Sequence, residues 1–196
     1  SYVDFRDYCA AQISWDNGTS TVSIARFECH AVLLQSATLD DALKLICATA
    51  ASWYQDDGER IRFIKPTDTT PVHHFDTSNI VSGSFSVAPQ DIRTRPNYLV
   101  AEFRDLDDTY LSVTKTPPAY RQELIDKVGR VDGGKRAFPN MNRSQAQRLL
   151  QRQLRLEADN PNIVNLRGMA DSVHVLPGDF VTVSHPITGW KYKKCL

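Results

Sequence analysis

The sequence predicts an α+β protein, built of small mixed sheets with packed helices in two subdomains. Three observations carry that expectation. Two stretches, around 39–53 and 144–158, repeat apolar residues at helical spacing. Several short runs alternate apolar and polar residues in period two, with Gly and Pro turn signals between them. Residues 66–90 are rich in Thr, Ser and Pro with only short apolar runs, as a segment wandering between two halves would be. The expected division is 1–90, with helix, strand, helix and hairpin, and 91–196, rich in β-structure around one long helix at about 144–158.

The elements follow in order. Val3, Cys9, Ala10 and Ile13 among polar neighbours predict a short helix over 2–13, stopped by the turn signal Asp16-Asn17-Gly18. Phe27, Cys29, Ala31 and Leu33 alternate with Glu28 and His30, predicting a half-buried strand. Thr38 supplies a helix N-cap, with Asp41 where a carboxylate favours the helix start. Leu39, Ala42, Leu43, Ile46, Ala50 and Trp53 then share one helical face. Beyond Asp56-Asp57-Gly58, Ile61 and Phe63 alternate with Arg60 and Arg62, predicting a hairpin. Phe75, Ile80 and Phe85 are expected to pin the wandering segment down.

In the second half, Leu99, Ala101 and Phe103 alternate with Val100 and Glu102. With Tyr110, Leu111 and Val113 they predict a hairpin across the acidic turn Asp105 to Asp108. Residues 115–142 read as a loop-rich excursion around a short helix from Glu123 to Val128. Ser144 is the expected cap of a helix carrying Ala146, Leu149, Leu150 and Leu154 on one face, with Arg148, Arg152 and Arg155 opposite and Asn160-Pro161 as its stop. Strands are expected at 163–167, 173–176 and 180–184, the last two joined by Pro177-Gly178-Asp179.

Bulk properties exclude several classes. Of the 196 residues, 41% are hydrophobic and 23% charged, the balance of an ordinary folded domain and not of a disordered chain. No apolar run reaches the roughly 18–20 residues of a membrane-spanning helix. The first residues, Ser1 to Asp7, lack the basic start and apolar core of a signal peptide. Net charge is zero, with 8 basic and 12 acidic residues in 1–98 against 15 and 11 in 99–196. That asymmetry is too small to mark a nucleic-acid binder. Neither Cys9, Cys29, Cys47 nor Cys195 belongs to a Cys-x-x-Cys pair, so a zinc ribbon or thioredoxin motif is excluded; the first three are expected to be buried, reduced thiols.

Each candidate for chemistry lacks a required part. Gly129-Arg130-Val131-Asp132-Gly133-Gly134-Lys135-Arg136 has the glycine and lysine spacing of a phosphate-binding loop. Arg136, however, stands where Ser or Thr must hold magnesium, and Pro139 follows where a helix should begin. Asp105, Asp107 and Asp108 resemble a calcium loop, but Tyr110 replaces its glycine and Thr116 its bidentate glutamate. His73 and His74 with Asp76 offer metal-ligand types, but adjacent residues of an extended chain point to opposite sides. Cys29 and His30 meet the same objection. The five histidines (30, 73, 74, 174 and 185) mark no triad, and no Gly-x-Ser-x-Gly elbow occurs. Glu157 and Asp159 interrupt the arginine stripe, and no aromatic residues interleave with it, so a solvated face or a protein contact is favoured over nucleic acid. No catalytic, cofactor-binding or metal residue is assigned, and no cofactor is expected.

The order of motifs resembles the family of lambda-type phage tail tip attachment proteins (host-specificity protein J) and the phage tail proteins related to it. Four stretches carry the likeness. The first is Arg26-Phe27-Glu28-Cys29-His30-Ala31-Val32-Leu33 before a helix from Leu39 to Ala51. The second is Trp53-Tyr54-Gln55-Asp56-Asp57-Gly58-Glu59-Arg60-Ile61-Arg62-Phe63, with Phe75 and then Asn79 to Ser86. The third is Arg93 to Phe103, through Arg95-Pro96-Asn97. The fourth is Ser144-Gln145-Ala146-Gln147-Arg148 opening a helix, with Leu176-Pro177-Gly178-Asp179-Phe180-Val181 later. Residues 115–142 match nothing in the family.

The resemblance implies a structural, non-enzymatic virion protein assembled in the host cytoplasm. It would be a homotrimeric hub around the tail axis that joins tail tube to tip fibres, with unspecific DNA contact only as channel lining. Its partners would be copies of itself and other tail tube and tail tip proteins. Receptor binding and host specificity would belong to regions C-terminal to it, and both ends of the chain are expected to be cuts through a larger protein. Two alternatives stay open: a hub, or baseplate, module of a contractile injection machine, and a carbohydrate-binding tail-tip domain in which Trp53, Tyr54 and Trp190 line a sugar groove.

Overall fold

In a computed structural model of the protein, the described residues are 2–16, 19–30, 37–56, 58–65, 70–105, 113–159 and 162–195. The chain begins with α1 (Tyr2–Ala10), then β1 (Gln12–Asp16), β2 (Thr21–Ala25), α2 (Leu39–Thr49), β3 (Trp53–Asp56) and β4 (Ile61–Ile64). Next come β5 (His73–Phe75), β6 (Ser86–Pro89), β7 (Tyr98–Arg104), β8 (Val113–Lys115) and β9 (Ala119–Tyr120). They are followed by α3 (Gln122–Val128), β10 (Asp132–Ala137) and α4 (Arg143–Asp159). The last elements are β11 (Asn162–Asn165), a single 3-10 turn (Ala170–Ser172), β12 (Val181–His185) and β13 (Trp190–Cys195). The fold class is α+β. None of the described helices is long and apolar enough to cross a membrane.

The elements group into two compact units, each drawn from two stretches: Ser1–Lys65 with Asp91–Asn160, and Pro66–Gln90 with Pro161–Leu196. This differs from the expected division into 1–90 and 91–196. The reason is strand pairing: β5 lies parallel to β12 and β6 antiparallel to β11, which draws residues 66–90 to the end of the chain.

The first unit centres on β7, flanked by β10 in parallel and by β8 and β9 antiparallel. Its period-two pattern works as the sequence predicts. Leu99, Ala101 and Phe103 are at most 2% exposed. The first two pack with Ala119, Leu150, Leu154 and Ala158, while Phe103 meets Met141, Ala146 and Leu149. Each large side chain removed from water this way contributes about 1.5–3 kcal/mol. A further cluster joins Phe5, Tyr8 and Ala50 with Phe27 and Phe63, the rings of Phe5 and Phe63 stacking at 4.8 Å. The hairpin β3–β4 and the capped helix α2 stand as expected, with a full capping box between Thr38 and Asp41.

Other expectations for this unit are corrected. The first helix ends at Ala10, and Ile13 belongs to a β1–β2 hairpin on either side of the Asp16-Asn17-Gly18 signal, whose last two residues lie outside the described set. No strand forms at 26–30, and residues 31–36 are likewise outside that set. Phe27 N–H donates to the Cys9 carbonyl at 3.1 Å, so the segment is tied to the end of α1 and not to a ladder. Trp53 opens β3 instead of closing α2. Residues 115–142 hold β9, α3 and β10, more regular structure than a loop-rich excursion. Asn142, and not Ser144, caps α4: its Oδ1 accepts from Gln145 N–H at 2.8 Å.

The second unit holds the sheet β13-β12-β5 and the pair β11-β6. Phe75, Ile80 and Val183 are buried there, with Phe85 and Trp190 against them, so the three predicted pins of residues 66–90 all enter one cluster. The strand expected at 173–176 is absent. Val173 is 85% exposed, and the backbone closes locally, Val175 N–H donating to the Ser172 carbonyl at 3.0 Å. β13 was not anticipated, although Trp190-Lys191-Tyr192-Lys193 alternates apolar and polar residues in period two.

Candidate functional site

The glycine-rich segment with phosphate-loop spacing is a strand with a bulge. The register of β10 on β7 shifts between Asp132 and Lys135, where the two glycines sit. A Cβ on Gly133 would collide with Leu99 and lie 2.7 Å from Pro96 Cβ, and Gly134 has φ 79°, in the left-handed region. Asp132 Oδ1 accepts from Gly134 N–H at 2.9 Å, and Lys135 Nζ lies 2.8 Å from Glu102 Oε1. The lysine and the glycines thus serve the β7–β10 pairing.

Asn97 holds the neighbouring excursion. It is fully buried, its Nδ2 donating to the Gly129 carbonyl (2.8 Å) and its Oδ1 accepting from Val131 N–H (2.8 Å). Its own N–H donates to the Val131 carbonyl and its carbonyl accepts from Arg121 N–H, both at 3.0 Å. Every polar group of the residue is thereby engaged across the 121–131 segment. Sequence reading singled out the Pro96-Asn97 dipeptide only as the start of a strand.

Of the calcium-loop candidates, Asp107, Asp108 and Tyr110 lie outside the described residues. Asp105 is 5% exposed, with Arg143 Nε at 3.8 Å. Thr116, at the supposed twelfth position, is spent on the sheet: its hydroxyl accepts from Ala101 N–H at 3.1 Å. The histidines divide as expected of adjacent residues on a strand. His74 Nδ1 lies 2.9 Å from Thr182 Oγ1 and its ring stacks on Tyr192. His73 meets His174 edge-on at 5.0 Å, with Asp171 Oδ2 3.8 Å from its Nε2. Asp76 instead binds Ser78, Oδ1 accepting from that residue's N–H at 2.7 Å, and its carboxyl is held below its usual range by Ser78 first of all. No group of three or more His, Cys, Asp or Glu among the described residues is arranged to hold a metal ion.

The cysteines are free thiols. Burial pushes the Cys47 and Cys9 thiols up, with the neighbouring Cys47 adding to the effect at Cys9. Cys29, expected to be buried on a strand, is exposed because no strand forms around it. Its neighbour His30 pairs with Glu28 at 3.2 Å. Trp53 and Tyr54 belong to one unit and Trp190 to the other, each partly buried; Trp190 packs on the Phe75 cluster and Tyr54 hydroxyl bonds Asp40.

The long helix α4 uses its polar residues in two ways. On its inward side Gln145 is fully buried: Oε1 accepts from Glu28 N–H (3.1 Å) while Nε2 donates to the carbonyls of Glu28 (2.9 Å) and Thr49 (2.8 Å). Arg148 is half-buried over the Phe27 ring and donates to the Arg26 carbonyl at 2.6 Å. Burial, then the charge of Arg26, pulls the Arg148 guanidinium down; burial does the same to Arg152. The basic stripe is therefore divided, with two of its three arginines inside the unit and only Arg155 exposed.

The other side of α4 faces a groove of about 390 Å³, lined by Pro118, Ala119, Tyr120 and Arg121 from β9 and its flanks and by Gln147, Gln151, Leu154 and Arg155. Arg121 is engaged with both oxygens of Asp159, at 2.5 and 2.6 Å. Gln147, Gln151 and Arg155 lie one helical turn apart along this wall. The spacing was readable in the sequence, but the wall opposite it was not, since β9 fell within the supposed loop.

No family model matches the chain, and no curated protein matches it. Among solved structures, it is similar to the prophage tail protein gp18 from Listeria monocytogenes EGD-e, known from a crystal structure at 1.70 Å resolution. The two share 12% identity with a TM-score of 0.43, over 95% of this chain and 60% of that one. The chain thus spans about 60% of the length of that protein.

Proposed function

We propose that this chain is a structural module of a long-tailed phage's tail tip, a hub-forming piece that links the tail tube to tip fibres and helps form the DNA channel. The observation that carries the reading is the ordered likeness of residues 26–184 to the lambda-type tail tip attachment family. The stretches 53–63, 93–103, 144–148 and 176–181 fall respectively in a hairpin, the entry to the central strand, the first turns of α4 and the turn before β12. The module performs no catalytic step: its fully buried amides, Asn97 and Gln145, are engaged in holding the chain to itself. It self-associates as a trimer around the tail axis and meets other tail proteins at its ends.

Antibodies raised against the chain test this on particles from its native source. Decoration of the tail tip in negative stain, with trimers on chemical cross-linking, is the expected result. Decoration of the capsid or the tail shaft, or dimers in place of trimers, would remove the tip hub reading. A sheath protein in the same particles would move it to a contractile machine.

A further inference from the structure

The groove between β9 and α4 carries unspent hydrogen-bonding and charge. Gln147, Gln151, Arg155 and the exposed Tyr120 line it, and none of their side chains makes a hydrogen bond or ion pair among the described residues. Ordinary helix surfaces interleave acids to neutralise such a cation. Here the acids of α4 are engaged elsewhere: Glu157 takes Arg136 at 3.1 Å, and Asp159, one turn beyond Arg155, is held by Arg121. No Asp or Glu among the described residues lines the groove. Arg155 is its one cation without an anion among the described residues.

The spacing selects what fits. Residues four apart on a helix are separated by about 6 Å along its axis, and alternate residues of an extended chain by about 6.7 Å. A glutamine amide both donates and accepts, so it can meet the N–H and C=O of one peptide group. Across the groove, β9 pairs with β7 alone among the described residues. Its short length leaves one side of that strand without a ladder.

We infer that this groove docks an extended, acidic segment of a partner protein. Gln147 and Gln151 bond alternate peptide groups of the segment, and Arg155 pairs with the carboxylate of an Asp or Glu side chain. The planar guanidinium favours a two-point pair with a carboxylate, and the exposed Pro118 and Tyr120 rings give an apolar wall for one neighbouring side chain. The groove's chemistry stands on its own, apart from the tail reading.

The test is selection of a random dodecapeptide display library on the immobilised full chain. The selected peptides are then measured on Arg155→Gln and on the double variant Gln147→Ala/Gln151→Ala. All three positions are surface-polar, and an unchanged urea midpoint confirms that the variants fold. Selected peptides are expected to be free of proline across the docked stretch and to share one Asp or Glu at a fixed position. Each variant should bind them roughly tenfold less tightly, through loss of the charge-assisted pair in Arg155→Gln and of the neutral amide–peptide bonds in the double variant. Failure to enrich any peptide, peptides without a shared acid, or equal binding to the variants would overturn the inference. So would full competition by inorganic phosphate, which would reduce the groove to an anion subsite. Self-association abolished by Arg155→Gln would assign it to a second copy of the chain, which also overturns docking of a foreign segment.

Discussion

The two units hold their strands in opposite ways. In the first, the hairpins β1–β2, β3–β4 and β7–β8 join neighbours in sequence, β10 joins β7 in parallel across 34–35 residues, and the longest ties are side chains. Gln145 reaches Glu28 across 117 residues and Thr49 across 96. In the second, the backbone itself makes the long connections. His74 meets Thr182 over a separation of 108 residues through the parallel β5–β12 pair, and only β12–β13 is a hairpin. Closing such a loop is opposed by chain entropy before any contact forms, although the increment is only about 0.6 kcal/mol per doubling of loop length. The first unit therefore builds local pieces and locks them with polar clamps, whereas the second has few local pieces to build on.

Truncating each apolar core is the strongest way to break this comparison. Leu150 is fully buried against β7, and Leu150→Ala is expected to destabilise the first unit by about 2–5 kcal/mol. Val183 is 1% exposed in the second unit, and Val183→Ala removes less apolar surface, roughly 2 kcal/mol. Urea unfolding followed by methyl NMR at Leu99 and Ile80, a buried neighbour of Val183, reads the two units separately. If both methyls report one transition, displaced equally by either change, the units are not distinct folding bodies.

Removing a clamp sharpens the contrast at smaller cost. Asn97→Ala removes the side-chain partner of the Gly129 carbonyl and of the Val131 N–H, two part-buried hydrogen bonds. About 1–3 kcal/mol is expected, felt in amide exchange over 121–131 and not in the second unit. Unchanged protection there would mean that the excursion is held by the β7–β10 pairing and that Asn97 is incidental.

How much of this was legible follows the same division. The α2 capping box, the β3–β4 hairpin and the buried face of β7 were readable because each signal lies within a dozen residues of its partner. The α4 apolar face was also plain, since Leu149, Leu150 and Leu154 repeat at helical spacing. The β5–β12 and β6–β11 pairs were not, because nothing in His73-His74-Phe75 specifies a partner a hundred residues away. The Gly133-Gly134 pair was legible only as part of a loop-rich stretch; its role as a bulge needs the neighbouring Leu99 and Pro96. Clamps such as Gln145 look like any surface glutamine until the backbone around them is known, and the groove was hidden for the same reason.

Acid provides the gentlest comparison, through one carboxylate in each unit. Asp41 in the α2 capping box is held below its usual range by the Thr38 hydroxyl and then the Thr38 N–H, and Asp76 by the Ser78 hydroxyl and then its N–H. A folded-state pKa below the unfolded value of about 3.9 means that stability is fully present above that value. It is lost as pH falls through the lower, folded value. Both side chains lie at the surface, so each effect is small. Asp41→Asn is expected to blunt acid weakening at the start of α2 alone, and Asp76→Asn that of the 76–79 turn alone. The readout is the N–H resonances of Asp41 and Ser78, followed by NMR from pH 6 to pH 2 in both variants. Each turn should lose its signal's acid shift only when its own carboxylate is neutralised. An altered titration at Ser78 in Asp41→Asn would show that the capping box supports the second unit too, and the separation of local from distant ties would no longer hold.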